Sequence, residues 1–186
     1  MATINVSTAA NADDGHSYAA FNNTDTTLSF GKVGGASDSR VFMRFLSVPV
    51  PKGAIIQSAY LTLVQKQNWC AANKKFIIKG NDIDTAVAPT SVAENNALVA
   101  TTATVQMQPA NAFVAGTDEV SPDIKTIIKE IVDRAGWASG NNMQLMADNV
   151  DGDNVWEYAA YDHASYNPPK LTISYFAGGP MIFAND

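Results

Sequence analysis

A single cysteine, Cys70, leaves this 186-residue chain with no intrachain disulfide and no cysteine-built zinc site. No apolar run approaches the roughly 20 residues that a membrane helix needs, and mean hydropathy is −0.07. Cations are scarce: 12 Lys and Arg stand against 18 Asp and Glu, giving a net charge of −6 and arguing against a nucleic-acid or anionic-membrane surface. Charged residues are only 16% of the chain, so Asn, Thr, Ser and Ala supply the polar surface. The start, Met1-Ala2-Thr3-Ile4-Asn5-Val6, lacks both the basic head and the apolar core of a secretory leader. That predicts a protein made and retained in cytoplasm, or released by lysis and not by secretion. The 46% hydrophobic share excludes a disordered chain, and the length suits one domain able to bury about 70% of its unfolded surface.

What is present is a series of short strands. Val41-Phe42-Met43-Arg44-Phe45-Leu46-Ser47-Val48 is dense in β-formers and stops at the turn Pro49-Val50-Pro51-Lys52-Gly53. Ala59-Tyr60-Leu61-Thr62-Leu63-Val64 alternates, with Ala59, Leu61 and Leu63 on one face and Tyr60 and Thr62 on the other. Further strands are predicted at 76–79, closed by Gly80, and at 143–147, 155–161 and 171–175. The 143–147 and 155–161 strands are expected to pair through the turn at 148–154. Residues 85–116 read as loops with one weak strand. Short strands split by Gly, Pro and Asn clusters predict an all-β, jelly-roll-like sandwich.

One amphipathic helix is predicted over 122–135. Ser121 stands at the N-cap position and Pro122 at the first helical position, while Ile124, Ile127, Ile128, Ile131, Val132 and Ala135 follow at the spacing of one buried stripe. Glu130 and Arg134 are placed to face each other at i,i+4. A single domain over 1–176 then ends in a flexible apolar tail at 177–186, where Met181, Ile182 and Phe183 need a partner surface.

Taken in order, four segments resemble the DNRLRE-type (disaggregatase-related) domains, extracellular β-sandwiches grouped with carbohydrate-binding modules. They are residues 14–31; Arg44-Phe45 with Val50-Pro51-Lys52-Gly53-Ala54; Ser58-Ala59-Tyr60-Leu61-Thr62-Leu63; and Pro169-Lys170-Leu171-Thr172-Ile173-Ser174-Tyr175. The likeness spans roughly residues 12–175, with 65–116 resembling nothing nameable. It implies a sandwich fold and recognition of a polysaccharide.

Candidate chemistry is sparse. Asp148, Asp151 and Asp153 form an oxygen-rich loop that reads either as a calcium site or, more plainly, as a hairpin turn; no other cofactor is implied. Asp13 and Asp14 with Asp25 are a second oxygen cluster, whose plainer reading is an exposed polar loop. Asp162-His163 lacks a nucleophile elbow, and adjacent strand residues point to opposite faces. The only glutamates are Glu94, Glu119, Glu130 and Glu157, so no glycosidase pair can be named. Trp156, Tyr158 and Tyr161 are candidates for stacking on a sugar, with Trp156 and Tyr158 sharing a strand face and Tyr161 not. Arg44, flanked by apolar residues, reads as a paired structural charge.

No enzyme is expected. A leaderless copy of an extracellular-type sandwich fits a phage virion, and the sequence reading favours a capsid decoration (cement) protein on the major capsid protein or neighbouring subunits. It would be a homo-oligomer, for instance a trimer, with a tail or fibre component as the next choice. The alternative reading is a carbohydrate-binding module.

Overall fold

The structure, a computed structural model, describes residues 1–33, 37–68, 75–149 and 155–177. Twelve strands are present among them: β1 (Ala2–Ser7), β2 (Asp14–Ser17), β3 (Phe21–Asn22), β4 (Thr27–Val33), β5 (Ser37–Phe45), β6 (Ile55–Asn68), β7 (Phe76–Asn81), β8 (Ala100–Met107), β9 (Asp118–Val120), β10 (Met143–Asn149), β11 (Val155–Ala159) and β12 (Lys170–Phe176). Two α-helices join them, α1 (Val92–Asn96) and α2 (Lys125–Val132). All strand pairs are antiparallel, in the order β1-β12-β6-β11-β4-β5-β10-β7-β8, with β2, β3 and β9 attached beside that path.

Two strands change partners along their length, and this curls the sheet into a sandwich. The first part of β6 pairs with β12, and its last residues pair with β11. The start of β5 pairs with β4, and the remainder lies between β10 and β2. Side chains from both layers meet in one core, among them Leu28, Phe30, Met43, Phe45, Leu61, Leu63, Phe76, Leu145 and Ile173. The alternation read at 59–64 holds: Ala59, Leu61 and Leu63 are fully buried. The fold is therefore the expected all-β sandwich.

The helix is shorter than the predicted 122–135. Its stripe is right, since Ile124, Ile127, Ile128, Ile131 and Val132 are buried against β6, β7 and β8, each worth about 1.5–3 kcal/mol. Its start is not. Ser121 Oγ accepts the Leu61 N–H at 3.0 Å and so ties the chain to β6 instead of capping a helix. Asp123 Oδ1 takes the N–H groups of Ala59 and Lys125, and the helix begins at Lys125. Ala135 lies beyond the helix and is exposed. Glu130 and Arg134 do not pair: Glu130 accepts the Thr102 and Ala103 N–H groups on edge strand β8, and Arg134 binds Asp82 and Asp84. The turn before β6 secures the other end of α2. Gly53 adopts φ +67°, which suits glycine there, and donates its N–H to Val132 O at 3.1 Å.

Two further expectations are corrected. Strands β10 and β11 are not a hairpin: β10 pairs with β5 and β7, while β11 pairs with β4 and β6. Residues 85–116 hold the expected strand, β8, together with the unforeseen helix α1, capped by Ser91 Oγ on Glu94 N–H.

Candidate functional site

The aromatic candidates separate. Trp156 and Tyr158 are 2% and 0% exposed and belong to a ring cluster with Phe30 and Phe76, at centroid distances of 5.1 Å for Phe30–Tyr158 and 5.7 Å for Phe76–Trp156. The Tyr158 hydroxyl donates to Glu119 at 2.7 Å. Both are core residues that no sugar ring can reach without unfolding, which corrects their assignment as a stacking surface. Tyr161 is 40% exposed, beyond the end of β11, and forms no platform with the other two.

The acidic candidates are also used structurally. Asp148 binds Arg40 and Lys79, each at 2.8 Å. Burial pushes its carboxyl up, but hydrogen bonds from Arg40 and Lys79 outweigh this and hold it below its ordinary value. With two cations on its oxygens, Asp148 is no calcium ligand in this arrangement. Asp151 and Asp153 lie outside the described residues, as do Met181, Ile182 and Phe183. Among the described residues no group of three His, Cys, Asp or Glu is placed to hold a metal ion.

Asp13 and Asp14 are buried, contrary to the exposed loop expected there. Asp13 pairs with Arg44 at 2.5 Å, the structural partner anticipated for that arginine. Asp14 accepts from Thr8 Oγ1 at 2.8 Å and from Tyr161 N–H at 3.0 Å, and burial raises its carboxyl to about 7. Asp25 instead accepts from Asn22. Burial lowers His16, whose Nδ1 accepts the Ser29 N–H. His163 Nδ1 accepts the Ser165 and Tyr166 N–H groups, so that nitrogen does not face Asp162. These groups brace strands and loops.

The surface best suited to a ligand is the outer face of β1, β12 and β6, with each row fixed by register. Thr3, Ser174 and Ser58 form one row; Asn5, Thr172 and Tyr60 the next; Ser7, Lys170 and Thr62 the third. The intervening Leu171, Ile173, Ala59 and Leu61 are buried in the core, so these nine side chains lie on the opposite face, where Thr62 alone is buried. Thr3 and Ser174 hydroxyls lie 2.9 Å apart, and Thr172 donates to Asn5 at 2.7 Å. The third row runs into a cleft of about 240 Å³ lined by Ser7, Thr62, Val64, Asp118, Asn167, Pro168 and Lys170. A more open apolar hollow of about 310 Å³ lies at α1, between Val87 and Leu98.

Sequence reasoning noted Tyr60 and Thr62 as one strand face but missed this surface. Its signal is the polar residues at every second position, Thr3, Asn5 and Ser7 on β1 and Lys170, Thr172 and Ser174 on β12.

No family model matches the chain, and no curated protein matches it. The resemblance to DNRLRE-type domains and the phage origin thus find no support there. Among solved structures the chain is similar to a CBM28 carbohydrate-binding module specific for non-crystalline cellulose. That match has 11% identity and a TM-score of 0.33, and covers 84% of this chain and 73% of the module.

Proposed function

We propose that this sandwich is a non-catalytic carbohydrate-binding domain whose binding surface is the outer face of β1, β12 and β6. The supporting observation is the composition of that face. Eight of its nine side chains are uncharged, and all nine carry a polar group. Hydroxyl and amide groups both donate and accept, as sugar hydroxyls do, and they lose less on desolvation than ions. Tyr60, half-buried in the middle row, offers a ring with a polar tip for stacking against sugar C–H groups.

The reading needs no general acid, base or nucleophile. Particle decoration would dock in part through Met181, Ile182 and Phe183, which lie outside the described residues. Affinity electrophoresis through gels containing soluble polysaccharides tests the proposal. Retardation by at least one glycan, lost in Tyr60→Ala but kept in Tyr161→Ala, is expected. Unretarded migration in every gel overturns it.

A further inference from the structure

Lys170 differs from most cations of the chain. Arg40, Arg44, Lys66, Lys79, Lys125, Lys129 and Arg134 each have an acidic partner. Lys170 has none among the described residues, although it is half-buried and Asp118 lines the same cleft. An ammonium among the lining of a cleft, on a protein of net charge −6, gains most from an anion brought by a ligand. The rest of the lining narrows which anion. Ser7 and Thr62 supply hydroxyls, Asn167 an amide, and Val64 and Pro168 apolar wall, the surroundings of a hydroxylated ring and not of a bare ion.

We infer that, on the carbohydrate-binding reading above, the cleft is a subsite for a uronic acid unit of an acidic polysaccharide. Lys170 receives the sugar carboxylate, Asn167, Ser7 and Thr62 meet ring oxygens, and Asp118 accepts from a ring hydroxyl. A volume of about 240 Å³ falls just below the roughly 300–1,000 Å³ of pockets for drug-sized ligands, so it suits one ring. The neighbouring units of the chain lie along the rows through Tyr60 and Ser58. Asp118 disfavours a phosphate ester, whose charge of about −1.5 to −2 would meet a carboxylate with only one cation in compensation. A neutral ring offers the ammonium only uncharged oxygens, whose hydrogen bonds are weaker than those to a carboxylate.

The test is affinity electrophoresis in gels containing polygalacturonate or alginate, beside gels with a neutral glucan, using wild type, Lys170→Gln, Lys170→Arg and Tyr60→Ala. Thermal melts check that each variant is folded. Acidic gels are expected to retard wild type and Lys170→Arg, with Lys170→Gln losing roughly tenfold in affinity there and unchanged in neutral gels. If Lys170→Gln binds acidic glycans as wild type does, or only neutral glycans bind, the uronate subsite falls while carbohydrate binding stands. If no gel retards any form, both fall.

Discussion

The backbone N–H of Tyr161 donates to the buried carboxylate of Asp14 at 3.0 Å, fastening the loop after β11 to β2. Thr8 donates to the same oxygen, and Asp13 and Asp162 lie close enough to oppose ionisation. Burial is the largest influence on Asp14 and raises it to about 7 from an ordinary 3.8.

A pH dependence follows. Between about pH 4 and 7 the unfolded chain has lost this proton and the native chain keeps it, so Asp14's contribution to stability falls as pH rises through that window. The difference between 3.8 and about 7 sets a ceiling of about 4 kcal/mol. His16 acts oppositely: its native value is lowered, so its contribution falls as pH drops below its ordinary 6.5. Comparing urea midpoints of wild type and Asp14→Asn from pH 4 to 8 cancels His16, and Asp14→Asn is expected to gain relative stability toward pH 8. Parallel profiles would remove Asp14 as the source.

Arg44 has the fully buried Asp13 as its partner. Arg44→Met should cost about 3–5 kcal/mol, because it leaves a buried carboxylate without its cation. Asp13→Asn with Arg44→Met should recover part of that loss. Denaturant titration measures both, and a double variant no better than the single one contradicts the pairing argument.

Gly15 sits where two strands and a loop converge. A Cβ there would lie 2.5 Å from Asn22 O and 2.9 Å from Phe42 Cε1. Backbone cannot withdraw as a flexible side chain can, so Gly15→Ala is expected to lose at least the roughly 1–3 kcal/mol typical of overpacking. A melting temperature equal to wild type would show that the β2–β3 connection yields.

Glu130 holds the Thr102 and Ala103 N–H groups at 2.7 and 2.8 Å. Glu130→Ala should cost about 1–2 kcal/mol and speed amide exchange at those two positions ahead of their neighbours on β8. Unchanged exchange at Thr102 and Ala103 would mean that water replaces the carboxylate without loss.

Alternation and turn chemistry are local, and these were legible: Leu61 and Ile173 point inward because the sequence alternates, and Gly53 turns where Pro51-Lys52-Gly53 says it should. Partner choice is not local. Asp148 through Asn154 carries every mark of a hairpin turn, yet β11 finds β4 and β6, strands distant in sequence. The same blindness hid Trp156 and Tyr158. Alternation shows that they share a face but not whether that face meets the core or water, which depends on the layer that β11 joins. Ser121 and Pro122 match helix-start preferences, but a serine oxygen serves a strand N–H equally well, and Leu61 was the one within reach. The proposed ligand face is half legible, as polar stripes on β1 and β12 that only the pairing brings together with β6.

That β1 pairs with β12, Ala2 opposite Tyr175, also orders events on the ribosome. Strand β1 must wait for β12 to be made before its backbone groups find their partners, and β6 must wait equally for β11 and β12. Long-range closure of this kind folds slowly and leaves unsatisfied strands exposed meanwhile. Until then Thr3, Asn5 and Ser7 are the polar side chains of a strand that carries no lysine to discourage pairing with another nascent chain.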